Sequence, residues 1–163
     1  MTVRYITEAD DPAAISGIYE KSWKSAYKGI IPQEWLDSIP EGKWARHLGR
    51  TDMKHLILEE GGVPLGTASF CASRWEEFRG FGEIVSIYLL PEHTGRGLGR
   101  LLMQECLDGL RSEGFTRAML WVLEDNLRAR RFYEKLGFTP TGAFIDDEIG
   151  GKPLRETAYT LAL

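Results

Sequence analysis

The sequence has few of the residues that form covalent cross-links or bind metal ions. It contains only two cysteines, Cys71 and Cys106, which lie far apart, and its three histidines lack a metal-ligand spacing. It has no apolar run as long as a membrane span, and its amino terminus lacks the apolar stretch of a signal peptide. We therefore expect no disulfide, no metal site, no membrane segment and a cytoplasmic location.

The chain also has no excess of positive charge. It carries 20 lysines and arginines against 24 aspartates and glutamates, which gives a formal net charge of -4 at pH 7. A chain with this balance has no overall positive field to attract a polyanion, so we do not expect nucleic acid as a partner. An anionic ligand would have to be bound locally, for example at the start of a helix.

Length and hydrophobic periodicity predict a single folded domain over residues 1–163 of mixed helices and strands. Apolar residues recur at helical spacing from Ile15 to Ala26, from Leu98 to Leu110 and from Asn126 to Leu136. Branched and aromatic residues mark strands between them, and several neighbouring strands have the spacing of hairpins. The order of elements predicts an α+β fold with a mixed sheet, in which the segment from Glu83 to Leu123 forms the one parallel crossover.

A glycine-rich loop follows a predicted strand and opens a predicted helix. Gly95, Gly97 and Gly99 alternate with Arg96, Leu98 and Arg100. A helix start exposes unpaired backbone N–H groups with a partial positive charge, and glycine lets a phosphate approach the backbone closely. The two arginines add donors suited to phosphate oxygens. The pattern therefore predicts a pyrophosphate site, with a merely tight strand-to-helix turn as the alternative.

Two well-known phosphate loops do not match this segment. A dinucleotide fingerprint needs a glycine where Arg100 or Leu102 stands, depending on the glycine at which the count begins. A P-loop needs lysine followed by serine or threonine at the positions of Arg100 and Leu101. Neither dinucleotide binding nor nucleotide hydrolysis is predicted.

A second cluster stands downstream, from Asn126 to Phe138. Taken alone it predicts an amphipathic helix that ends at Gly137, in which Tyr133 is a packed aromatic residue. Together and in this order, however, the two clusters resemble the GNAT superfamily of N-acetyltransferases. Residues 94–99 resemble the family motif Q/R-x-x-G-x-G/A, and the second cluster resembles its N-x-x-A-x-x-F-Y-x-x-x-G-F element. One departure is Thr94, which stands where the family usually has glutamine or arginine.

The resemblance implies a GNAT fold and acetyl-CoA as co-substrate. The fold would be a mostly antiparallel sheet of about seven strands flanked by about four helices, with one splayed strand pair that binds the cofactor. Members of the family often form dimers, so the resemblance also allows a homodimer. The residues that it assigns to cofactor binding are Ile87, Tyr88, Leu89, Arg96, Gly97, Leu98, Gly99, Arg100, Asn126, Ala129 and Phe132.

The resemblance further implies acetyl transfer to an amine by direct attack. Tyr133 would act as a general acid near the sulfur, a backbone N–H of the central strand would polarise the carbonyl, and Glu83 is our candidate for the base. The acceptor could be a small amine, an amino acid, an antibiotic amine or a protein amino group. A catalytically silent acetyl-CoA sensor is the competing hypothesis. The residues expected to line the acceptor pocket are Trp23, Tyr27, Ile31, Trp35 and Trp75.

Overall fold

The computed structural model describes all 163 residues and contains a seven-stranded sheet in the order β1-β2-β3-β4-β5-β7-β6. The strands are β1 (Thr2–Tyr5), β2 (Lys54–Glu60), β3 (Val63–Ala72), β4 (Gly82–Leu89), β5 (Arg117–Leu123), β6 (Thr139–Ile149) and β7 (Lys152–Ala162). The helices are α1 (Pro12–Ala26), α2 (Gln33–Asp37), α3 (Leu98–Ser112) and α4 (Leu127–Lys135). The predicted mixed fold with seven strands is confirmed.

Capping side chains start two of the helices. Asp11 Oδ1 accepts the backbone N–H of Ala13 (2.9 Å) at the start of α1, and Pro12 occupies the first helical position. Asn126 Oδ1 accepts the backbone N–H of Ala129 (3.1 Å) at the start of α4. Each bond satisfies a donor that the first turn of a helix would otherwise leave unpaired.

The sheet is antiparallel everywhere except between β4 and β5. These two parallel strands pair only at their beginnings, where Gly82 faces Ala118 and Glu83 faces Met119. Beyond these pairs the strands separate, which confirms the predicted splayed pair and the predicted parallel crossover. The separation opens the middle of the sheet toward the carboxyl ends of both strands.

The two faces of the sheet are covered by different helices. On one face, α3 buries Leu102, Cys106 and Leu110 in the main hydrophobic core together with Phe70 of β3. On the other face, α1 packs on β3 and β4, and Leu36 of α2 lies in an apolar cluster with Leu123 of β5 and Leu154 of β7. The opening between β4 and β5 is therefore flanked by α3 on one side and by α1 on the other.

One predicted helix is replaced by turns. Trp44, Ala45 and Leu48 have a spacing that predicts a short helix, but the structure has turns followed by a single 3-10 turn at His47–Gly49. The physical reason is tertiary, because Trp44 donates its backbone N–H to the Ser16 hydroxyl (3.1 Å) and its ring stacks on Tyr19. None of the helices in the structure has both the length and the apolar character needed to cross a bilayer.

Candidate active site

A cleft of about 870 Å³ occupies the gap between β4 and β5. Its walls come from these two strands, the glycine loop before α3, the helix α4, the end of α1 and the hairpin of β6 and β7. Most residues of both sequence clusters therefore line the cleft. The two ends of the cleft are built from different chemical groups.

The first end, which we call the phosphate end, is formed by the glycine loop from Gly95 to Arg100. Gly95 (φ +79°) and Gly97 (φ +80°) both have left-handed backbone, which explains why two of the three glycines are there. Gly97 begins α3 without any side-chain cap, and the N–H groups of Gly95, Arg96 and Gly97 donate to no backbone carbonyl. Free N–H groups at the start of a 15-residue helix form a site for an anion.

The side chains of the glycine loop divide between the cleft and other places. Gly97, Gly99 and Arg100 line the cleft, whereas Arg96 is exposed and hydrogen-bonds His93 Nδ1 (3.0 Å). The Leu98 side chain lies in the hydrophobic core. Neither side chain lines the cleft, so the predicted cofactor contacts of Arg96 and Leu98 could come only from their backbone in this conformation.

Two neighbours explain the remaining features of the loop. Thr94 lines the cleft and donates its hydroxyl to the Pro91 carbonyl (2.8 Å), so its side chain closes the preceding turn. A Cβ added at Gly99 would lie 3.3 Å from the Phe132 ring. The third glycine therefore allows α3 and α4 to approach each other, a role that the motif alone did not indicate.

Strand β4 and helix α4 form the middle of the cleft. Ile87, Tyr88 and Leu89 line it from the strand, and they pair on their other side with β3. Asn126, Ala129 and Phe132 line it from α4, so all six of these predicted cofactor residues face the cleft. Because the β5 side of β4 is unpaired here, its backbone groups can bind an extended ligand.

Tyr133 lies in the same wall and has a free hydroxyl. The hydroxyls of Tyr19, Tyr27, Tyr88 and Tyr159 are hydrogen-bonded, whereas that of Tyr133 has no protein partner. Burial raises the pKa of Tyr133 well above its ordinary value. The group is therefore protonated at neutral pH and can donate a proton into the cleft.

Glu83 lies in the cleft wall, but hydrogen bonds from the protein already occupy its carboxylate. Its Oε1 accepts from Arg74 Nη2 (2.7 Å) and Trp75 Nε1 (3.1 Å), and its Oε2 accepts from the backbone N–H and Nε of Arg74 (both 3.1 Å). Burial opposes ionisation, but the hydrogen bonds and charge of Arg74 hold the pKa of Glu83 below its ordinary value. The geometry therefore does not favour the predicted role of Glu83 as a base.

The second end, which we call the acceptor end, contains three of the five predicted acceptor residues. Trp23, Tyr27 and Trp75 line the cleft, and the Trp23 Nε1 group has no hydrogen-bond partner. Ile31 and Trp35 do not line it, and both lie in the apolar cluster of Leu36, Leu123 and Leu154. The resemblance assigned both residues to the pocket, and the structure does not place them in the cleft.

Sequence reasoning missed several polar groups at the acceptor end. Trp121 of β5 lines the cleft with a buried, unpartnered Nε1. Arg74, Asp147 and Glu156 line it as well, from the β3–β4 loop, β6 and β7. No local motif marks these residues, because they come together only when the sheet forms.

The fold and the cleft are those of an acetyltransferase. The model of the family described as "Acetyltransferase (GNAT) family" matches residues 15–138 of this chain. The match covers more than half of the chain, so the chain belongs to the GNAT acetyltransferase family. This confirms the resemblance and the predicted enzyme class.

Curated relatives match along most of their length. The N-acetyltransferase YuaI of Bacillus subtilis is 32% identical over 96% of this chain and 90% of its own. An L-methionine sulfoximine/L-methionine sulfone acetyltransferase of Salmonella typhimurium is 33% identical over 86% of this chain and 81% of its own. The L-amino acid N-acyltransferase MnaT of Escherichia coli is 31% identical over the same shares.

Solved structures share the whole fold. The acetyltransferase yncA of Salmonella typhimurium, solved with acetyl-CoA, has a TM-score of 0.75 at 30% identity over 99% of this chain and 93% of its own. The paia N-acetyltransferase of Thermoplasma acidophilum, solved with coenzyme A, has a TM-score of 0.78 at 20% identity over the full length of both chains. The second comparison supports the fold alone.

Proposed function

We propose that this protein transfers the acetyl group of acetyl-CoA to the primary amine of a small molecule that also carries a carboxylate, such as an L-amino acid. The observation that carries this proposal is Arg74 at the acceptor end of the cleft. Its Nε and Nη2 are held by Glu83, whereas its Nη1 has no hydrogen-bond partner. A guanidinium fixed in this way can bind a carboxylate. The names of the two relatives that act on amino acids support the same acceptor class.

The phosphate end fits acetyl-CoA. The free N–H groups at Gly95 to Gly97 and the positive end of α3 suit a pyrophosphate, and Arg100 adds a charge at the same place. The open β5 side of Ile87, Tyr88 and Leu89 suits an extended, amide-containing chain. When bound, acetyl-CoA supplies the acetyl group as an activated thioester.

The protein groups then have separate roles. A backbone N–H of β4 polarises the carbonyl, and Tyr133 donates its proton to the sulfur that leaves. Its hydroxyl, which lies in the cleft wall and has no hydrogen-bond partner in the protein, supports this role. Glu83 acts here as a positioning residue, because its carboxylate fixes the Arg74 guanidinium at two nitrogens.

The test compares amino acids with the amines that lack their carboxylate. We expect thiol release from acetyl-CoA with L-amino acids and a much higher KM with the corresponding decarboxylated amines. Arg74→Gln should raise the KM for the amino acid but not for the decarboxylated amine. The control is Arg79→Gln, because Arg79 pairs with Glu76 outside the cleft and should not affect either KM.

Two results would contradict the proposal. Equal KM values for amino acids and decarboxylated amines would remove Arg74 from acceptor recognition. Acetyl-CoA binding without turnover on a broad panel of amines would instead favour a catalytically silent sensor.

A further inference from the structure

Acetyl transfer to an amine needs a group that takes a proton from the acceptor. An aliphatic amine is mostly an ammonium ion at neutral pH, and only its neutral form can attack a carbonyl. Glu83 is poorly suited because four hydrogen bonds already occupy its two oxygens. A base at the acceptor end would have to be another carboxylate, one that lines the cleft and accepts no hydrogen bond.

Glu156 meets both conditions. It lies on β7, lines the cleft and is half-buried, and its pairing partner on β5 is Leu123, just where β5 has left β4. Of the other two carboxylates that line the cleft, Glu83 is paired with Arg74, and Asp147 is exposed and accepts the backbone N–H of Glu148. Glu156 has neither an ion pair nor a hydrogen bond.

The sheet places Glu156 on the same face as the aromatic acceptor wall. Leu154, two residues earlier on β7, packs with Leu123 in the cluster that also contains Trp23 and Tyr27. Since side chains alternate along a strand, Glu156 points to this face as well, whereas Arg155 points away and pairs with Asp146. The carboxylate therefore stands among the residues expected to surround the acceptor.

The charges around Glu156 leave it without a local cation. Burial, and then the Asp147 carboxylate on β6, raise the pKa of Glu156 above its ordinary value. Tyr27, at the end of α1, has its pKa raised to about 12 by burial, by Tyr133 and by the Glu156 charge. The Arg74 charge is paired with Glu83, and the Lys152 ammonium of β7 donates to the Ile30 carbonyl (2.7 Å).

We propose that Glu156 is the catalytic base that takes the proton from the acceptor ammonium group. The proposal rests on the proposed function, because it assigns the base of that same acetyl transfer. Burying an unpaired charge costs free energy. A half-buried carboxylate without a partner in a cleft is therefore a candidate functional group.

The protons and bonds of the step balance as follows. The ammonium group loses one proton to Glu156, which later releases it to solvent. The nitrogen–carbon bond forms as the carbon–sulfur bond breaks, and the Tyr133 hydroxyl gives its proton to the departing sulfur. The nitrogen then loses a second proton, which restores Tyr133. The net products are the amide, the free thiol and one proton.

The first experiment measures the pH dependence of kcat/KM with an amino acid that the wild-type protein acetylates. Glu156→Gln should lower kcat/KM at pH 7 by about 100-fold or more. The gap to wild type should narrow as the pH approaches the pKa of the amine, since a neutral amine no longer needs the base. Glu148→Gln is the control, because Glu148 is an exposed carboxylate of β6 outside the cleft and should leave the profile unchanged.

The second experiment measures the pKa of the Glu156 carboxyl group in the protein without ligands. Carbon-13 NMR of protein labelled at the glutamate carboxyl groups, assigned with Glu156→Gln, should give Glu156 a titration midpoint above the ordinary glutamate value. A midpoint at or below that value would overturn the proposal. A loss of activity that is equal at every pH, or a Glu156→Gln variant as active as wild type, would also overturn it while leaving the acetyltransferase function intact. Failure of the wild-type protein to acetylate any amine would overturn the proposed function, and the base assignment with it.

Discussion

The two ends of the cleft are made in different ways. The phosphate end comes from a few consecutive residues, and its donors are mainly backbone N–H groups at the start of α3. The acceptor end comes from side chains of α1, the β3–β4 loop, β4, β5, β6 and β7. A backbone site depends on local conformation and can be shared by many sequences, whereas a side-chain site depends on which residues the sheet brings together. The first end therefore fits a common co-substrate, and the second is where we propose that the acceptor is selected.

The largest effect is expected where the two ends meet, at Tyr133. Tyr133→Phe removes only the hydroxyl and should lower kcat by about 100-fold or more while the affinity for acetyl-CoA stays nearly the same. Steady-state kinetics and calorimetric titration measure the two quantities. Tyr5→Phe, at an exposed position of β1, is the control and should change neither. An unchanged kcat for Tyr133→Phe would remove Tyr133 from the mechanism.

The next largest effect is expected at the phosphate end. Gly97→Ala forces a side chain onto left-handed backbone, which costs about 1–2 kcal/mol, and should weaken acetyl-CoA binding by about tenfold. Gly114→Ala is a matched control at the other end of α3, with φ +90° and open space around its Cβ. Both variants should lose thermal stability, but only Gly97→Ala should bind acetyl-CoA more weakly. Equal acetyl-CoA affinity of the two variants would mean that Gly97 is needed only for the conformation of the turn.

A smaller effect is expected from the ion pair at the acceptor end. Glu83→Gln should lower the free energy of unfolding at pH 7 by about 1 kcal/mol, since the Arg74 side chain is partly exposed. The folded pKa of Glu83 is lowered, so its contribution is present above the ordinary glutamate pKa of 4.5 and is lost as pH falls through the folded pKa. Urea unfolding at several pH values should therefore show the two proteins converging below pH 4.5. A difference in unfolding free energy that stays constant with pH would contradict the stabilising role of the ionised Glu83 carboxylate.

The smallest effect is expected from the arginines of the glycine loop. Arg100→Gln should weaken acetyl-CoA binding by about threefold, and by less at high salt, because an exposed charge is screened by ions. Arg96→Gln should have less effect, since Arg96 hydrogen-bonds His93 outside the cleft. The measurement is binding affinity at two salt concentrations. A larger loss in Arg96→Gln would show that the loop changes shape when the cofactor binds.

The same contrast explains what could be predicted from the sequence. The helix that follows the glycine loop and the helix from Asn126 to Leu136 depend on residues within a few positions, so local patterns predict them. The cleft positions of Trp121 and Glu156 depend on strand order and on where β4 and β5 separate, which no single segment determines. The resemblance points to the segment that carries Ile31 and Trp35, but which of its side chains enter the cleft depends on how that segment packs against β5 and β7.

The separation of β4 and β5 has a consequence for the folded protein as a whole. After Glu83 and Met119 the two parts of the sheet, β1 to β4 and β5 to β7, share no further strand pairing. The inner rims of β4 and β5 are therefore edges inside the molecule, and their unpaired amides can exchange hydrogen with water. A ligand that lies between them joins the two parts of the sheet, so its binding should slow hydrogen exchange along β4 and β5 and make thermal unfolding more cooperative.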